Sequence, residues 1–291
     1  MLIPKVEFLD DIQATDDYQK QLKALYLTVS DNQHQTLTVL IDLNTYGTAV
    51  FDLLDCGIDL PFERIKRIHH SFSDNLALIE MSLDSSKGQR LLEQLLALAL
   101  YENTYDISGY PHSRSVCLWL FDQPITETLK HSIYLIGQAY GMGTNKRRYL
   151  RYWDPRVIQL LAYLWTAEQK LQIHQLGLPH IHYVDWNNEM TVLTLPTPNE
   201  VYPAANIQKT LGQLKPLPFR FSQQQWQLLE QIEWMNMIKR QLKEQIVITD
   251  RVYDIIISQA LLMAQRQVTQ QQAVNNIVKS LEQPRNQGVG R

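Results

Sequence analysis

Apolar positions along the chain change their spacing near residue 195, and the change divides the sequence. Before it, short runs rich in Leu and β-branched residues alternate with helical patterns. Leu37–Leu43 is an almost continuous apolar run, as a buried strand is, and Leu76–Leu83 and Val116–Phe121 read as the second and third strands. Asn44-Thr45 caps a helix through Leu54, closed by Cys56-Gly57. Leu60-Pro61-Phe62 reads as connection or short helix. Ser86 and Gln89 form a capping box for an apolar helix from Arg90 to Tyr101, and Pro124 opens another to about Ile136. His180–Asp185 and Thr191–Leu195 predict a hairpin across Asn187-Asn188. Strands alternating with helices predict an α/β lobe over residues 1–195, a mixed sheet with flanking helices.

Pro196, Pro198, Pro203, Pro216 and Pro218 then crowd a stretch that cannot be a long helix or a central strand. Residues 196–221 are therefore expected to connect the first lobe to an all-α lobe over 222–291. A capping box at Ser222 and Gln225 opens a helix to about Gln245. Thr249 caps a second helix, and Thr269 with Gln272 caps a third that Pro284 stops, leaving a frayed tail. Val274, Ile277, Val278 and Leu281 fall at i, i+3, i+4 and i+7, the stripe of a one-sided helix.

The most specific local pattern runs from Arg148 to Ile173. A short strand ends on Tyr152-Trp153 and turns at once into a helix. Asp154 suits the N-cap, Pro155 the first helical position, and Arg156 can reach back to Asp154. Thr166 and Gln169 form the capping box of the next helix. A basic or aromatic strand entering Asp154-Pro155-Arg156, a Leu-rich helix and a Thr-x-Glu-Gln start resemble the type VI secretion effector adaptors, the Tap/Tec chaperones. Thr38–Asp42, Asn75–Leu83 and Ser115–Leu120 resemble the family's three strands in order, so the likeness covers about Leu37 to Ile173. The family often has Phe-Tyr or Tyr-Tyr before Asp-Pro, where this chain has Tyr152-Trp153. The resemblance implies a non-enzymatic, cytoplasmic adaptor for bacterial competition. It would bind one cognate toxin effector and load it onto the trimeric spike protein, without a cofactor.

Bulk properties narrow the alternatives. Net charge is −3 with pI near 6.2, which gives no general attraction to nucleic acid or anionic lipid. The basic runs Arg64–Arg67 and Lys146–Arg148 are short and read as solvated faces. No nucleic-acid or membrane partner is expected. Two cysteines, Cys56 and Cys117, sit in apolar contexts and read as buried thiols of a reducing compartment. The N-terminus lacks the apolar core of a signal peptide, and the longest apolar run, Leu95–Leu100, falls far short of the roughly 20 residues a membrane span needs.

Candidate chemistry is sparse. His180 and His182 alternate along a strand and, with Asp185, give the one metal-like set; a metal-assisted hydrolase using them is the alternative function. No third ligand at a recognisable spacing completes it. Gly137–Lys146 lacks the Gly-Lys-Ser/Thr ending of a phosphate loop and precedes a strand. Asp42, at the end of the first strand, is expected to bond the following turn. Trp153, Trp165, Trp226 and Trp234 sit on or beside helices near the expected lobe junction and are candidate partner contacts, although core packing is the commoner use of such rings.

Overall fold

The structure is a computed structural model that describes residues 16–30, 34–43, 62–64, 76–104, 114–140, 147–201, 219–243 and 246–282. By internal contacts the chain falls into two compact units. One comprises Met1–Ala139 with Arg148–Phe219, and the other Tyr140–Arg147 with Arg220–Arg291.

The first unit opens with α1 (Asp16–Ser30) and β1 (Thr36–Asp42), followed by β2 (Phe62–Arg64), β3 (Leu76–Ser82), α2 (Ser86–Thr104) and β4 (Val116–Phe121). Along the chain there follow α3 (Glu127–Ile136), β5 (Gln138–Tyr140), β6 (Arg147–Tyr149), α4 (Pro155–Leu164) and α5 (Ala167–Gln175). The hairpin β7 (His180–Val184) and β8 (Met190–Thr194) and the short α6 (Pro198–Val201) complete the series. Six strands make one sheet in the order β2-β3-β1-β4-β7-β8. Every neighbouring pair in it is antiparallel, where a mixed sheet was expected. The reason lies in β1. The unit β3–α2–β4 is a crossover whose two strands run parallel to each other, as strand–helix–strand alternation demands. They leave a gap between them, and β1 fills it antiparallel to both.

Alternation along β1 sends Leu37, Val39 and Ile41 to one face, where they join Ala77, Ile79 and Met81 of β3 and Trp119 of β4. Leu25 and Val29 of α1 and Leu92, Leu95 and Leu96 of α2 cover that face. Thr38, Leu40 and Asp42 point the other way and are buried as well, so both faces of β1 lie inside. α2 is buried almost all round from Leu91 to Tyr101, which explains its unbroken apolar run.

Several local expectations shift by a few residues. Phe62–Arg64 is a strand and not a connection or short helix, because it lies against β3 and gains a ladder there. The cap of α2 is Ser85, whose hydroxyl accepts from Gly88 N–H (2.9 Å); Gln89 donates its amide to Leu83 C=O (3.2 Å), so the box at Ser86 does not form. The N-cap of α3 is Thr126, two residues beyond Pro124, and its hydroxyl accepts from Leu129 N–H. The hairpin turns through Asn188 at φ 63, a left-handed position that Asn tolerates. The helix expected over Asn44–Leu54, Cys56, the loop residues 141–146 and the tail beyond Glu282 lie outside the described residues.

In the second unit, β9 (Phe219–Arg220) precedes α7 (Gln223–Glu230), α8 (Ile232–Lys243), α9 (Asp250–Ala264) and α10 (Gln270–Glu282). β6, β5 and β9 form a three-stranded sheet in that order. Tyr140 belongs with this unit because its carbonyl accepts from Phe221 N–H (3.1 Å) and Arg220 stacks on its ring (5.2 Å). The expected capping boxes at Ser222 and Thr269 and the cap at Thr249 are all formed. The single helix expected to about Gln245 is two, since Gln231 N–H bonds Leu228 C=O (3.0 Å) and tightens one turn. α9 packs on α7, α8 and α10. Among the described residues, no helix is long and apolar enough to cross a membrane.

Gly88 sets the fit of α2 against β3. A Cβ there would stand 1.8 Å from the Ser82 carbonyl oxygen, far inside contact. Ala would ordinarily favour a helix by about 1 kcal/mol over Gly. Gly88→Ala is expected to do the reverse and destabilise by about 1–3 kcal/mol, the range for overpacking, as read by urea denaturation.

Candidate functional site

The corner that carries the resemblance is built from the chain outward. β6 ends at Tyr149, not at Trp153, because residues 151–154 close a turn in which Asp154 N–H bonds Arg151 C=O (3.1 Å). Asp154 takes an extended conformation (φ −64, ψ 123), and its Oδ1 accepts from Arg156 N–H (3.0 Å). Pro155 follows in the first turn, where its missing N–H costs nothing. The Arg156 guanidinium folds back, with Nε donating to Asp154 Oδ1 (2.9 Å) and Nη2 to Oδ2 (2.5 Å). This bidentate pair is almost wholly buried. Burial alone would raise the Asp154 pKa, but the charge and hydrogen bonds of Arg156, helped by Arg151, hold it below the usual carboxylate value. The next corner is also as expected: Thr166 and Gln169 cap α5 reciprocally.

The turn after Asp42 lies outside the described residues from Asn44 on, but Asp42 itself engages the corner. Its Oδ2 accepts from Arg151 Nη2 (2.9 Å) and from Trp153 Nε1 (3.0 Å), and the residue is 0% exposed. A central strand is thereby fastened to the corner by a bond spanning more than a hundred residues. Glu102 of α2 is the third buried carboxylate. Both its oxygens accept from Ser115 N–H (2.8 and 2.9 Å), at the entry to β4. Burial pushes its pKa up to about 7 against the pull of Arg114 and the Ser115 and Val116 amides. Cys117 lies among these groups. Burial, then the charges of Asp42, Asp154 and Glu102, push its thiol well above the ordinary value, so it is a poor nucleophile. Aromatic rings close the cluster: Tyr149 and Tyr152 lie 5.4 and 5.5 Å from Trp153, and Tyr152 donates its hydroxyl to Ile133 C=O (3.1 Å). The arrangement is a joint in which acids and bases engage one another.

His180 and His182 fall on one face of β7, and Asp185 does not join them. Its Oδ1 accepts from Asn187 and Glu189 N–H (2.8 and 3.0 Å), and its Oδ2 from Thr191 Oγ1 (3.1 Å), so it holds the hairpin turn. The His182 ring stands edge-on to Phe121 at 4.7 Å. Burial, then the charge of His180, lowers its pKa to about 4. Among the described residues, no group of three or more His, Cys, Asp or Glu is placed to hold a metal.

Trp153, Trp165 and Trp234 are 2, 3 and 6% exposed, so a partner reaches their rings only if the fold opens. Trp226 is half-buried beside Phe221 (5.6 Å). Glu102 and Lys239 escaped the sequence reading. Lys239 is 1% exposed, with Nζ 4.6 Å from the Tyr253 ring centroid. Its signal was a charge four residues after Met235, on the apolar stripe of α8. No family model, no curated protein and no solved structure matches this chain.

Two outcomes follow from these charges. Asp154→Ala removes a cap, worth about 0.5–2 kcal/mol alone, and also strands a buried guanidinium. The expected loss by urea denaturation is therefore about 3–5 kcal/mol, as for one partner of a buried pair. The second outcome concerns pH. The folded-state pKa of Glu102 is raised from 4.5 to about 7, so its stabilising contribution is full below 4.5 and is lost as pH rises to about 7. His182 is lowered from 6.5 to about 4, so its contribution is full above 6.5 and is lost as pH falls to about 4. Between pH 4.5 and 6.5 the two oppose each other. Relative to the unmodified chain, Glu102→Gln should make stability rise more steeply with pH in that window, and His182→Gln should make it fall, as read by denaturant midpoints across the range.

Proposed function

We propose that this protein is a cytoplasmic adaptor that binds a cognate toxin effector and loads it onto the trimeric spike of a type VI secretion system. The observation that supports this reading is the corner at Asp154-Pro155-Arg156. The motif behind the resemblance is a built feature of the chain, capped, buried and fastened to the first strand. Its acids and bases bond one another, so the corner's contribution to such a function is to keep a binding surface in shape. Binding and release then need no covalent chemistry and no cofactor. Metal-assisted hydrolysis through His180, His182 and Asp185 has less support, since the Asp185 carboxylate is committed to the hairpin turn.

The test is capture by the purified full-length chain of two proteins: the product of the neighbouring effector reading frame and the spike protein. Both are expected to co-elute with it, and no stoichiometric zinc, manganese or iron is expected on the adaptor. Failure of a folded chain to capture either protein would overturn the adaptor reading. One equivalent of metal, lost on His182→Ala, would favour the hydrolase in its place.

A further inference from the structure

Among the described residues β8 is an end strand of the six-stranded sheet, and its register shows which of its backbone groups face outward. Asp185 N–H donates to Glu189 C=O (2.9 Å) at one end of the hairpin ladder, and Leu195 N–H to Pro179 C=O (2.9 Å) at the other. Hydrogen-bonded and non-bonded pairs alternate in an antiparallel ladder. Tyr183↔Thr191 and Ile181↔Leu193 are therefore the bonded pairs between those ends. Met190, Val192 and Thr194 consequently turn their N–H and C=O away from β7, toward the open edge. Val192 is 50% exposed, among the most exposed of the large apolar residues described.

We propose that this edge pairs with the same edge of a second copy of the chain, antiparallel about a two-fold axis at Val192. The strand is complementary to itself in that register. Val192 meets Val192 of the other copy, Met190 meets Thr194, and every outward N–H finds an outward C=O. The segment Met190–Thr194 carries no charge and no proline, so it lacks the devices that ordinarily keep strand edges apart. Symmetric pairing creates no like-charge contact within the strand and covers the exposed valine on both copies. The edge is short, so the dimer is weak and depends on concentration. This inference stands apart from the adaptor reading.

Sedimentation equilibrium of the full-length chain tests it, with hydrogen exchange to locate the contact. The unmodified protein is expected to dimerise as its concentration rises, with the Met190, Val192 and Thr194 amides gaining protection. Val192→Lys puts like charges side by side at the axis and should abolish the dimer, while far-UV circular dichroism, and melting at concentrations where the unmodified chain is monomeric, stay unchanged. Val192→Cys should give a disulfide-linked dimer on mild oxidation. A monomer at every concentration, or a dimer unaffected by Val192→Lys, would overturn the proposal. Protection of these amides only when effector or spike is added would assign the edge to a foreign strand and equally overturn self-pairing.

Discussion

Asp42 is the residue on which the first unit most depends. It ends the central strand β1 with a carboxylate that water does not reach, accepting from Arg151 and Trp153. A buried charge without partners is costly enough to unfold a domain of ordinary stability. The donors that the corner supplies therefore help to hold the strand in place. The corner in turn needs Asp154 and Arg156 closed on each other to present Arg151 and Trp153 in that direction. Each arrangement makes the other tolerable.

The same economy runs through the neighbouring groups. Glu102 caps the entry to β4 from α2, while the Asp42 N–H bonds the Ser115 carbonyl at 2.8 Å, so β1, α2 and β4 meet at one point. Replacing such a cluster with apolar side chains could be neutral or even stabilising, but removing one member leaves its partner stranded. What the cluster adds is register: the donors around Asp42 are satisfied in one alignment of β1, whereas apolar contacts alone would tolerate several.

Features governed by neighbours in sequence were legible before the structure. The apolar runs that became β1, β3 and β4, the caps at Asp154, Thr166, Ser222, Thr249 and Thr269, and the hairpin at Asn187-Asn188 all depend on residues within a few positions. Features governed by distant partners were not. Nothing local to Asp42 announces Arg151, and nothing in the strand–helix alternation announces that β1 separates β3 from β4. α1 carries a local signal as well, since Leu22, Leu25, Tyr26 and Val29 fall at i, i+3, i+4 and i+7. The break at Gln231 has no Gly or Pro to mark it. Of the candidate site, the corner's motif was visible, but its attachment to β1 came only from the fold.

A double-mutant cycle between Asp42 and Arg151 tests the central dependence most directly. Asp42→Asn keeps an acceptor for Trp153 while removing the charge, and Arg151→Met keeps the stem while removing the guanidinium. With stabilities from urea denaturation, a coupling free energy of about 1 kcal/mol or more is predicted, the double variant losing less than the sum of the single ones. Additivity to within about 0.5 kcal/mol would mean that the two groups do not depend on each other, and would contradict the corner as the fastening of the first strand.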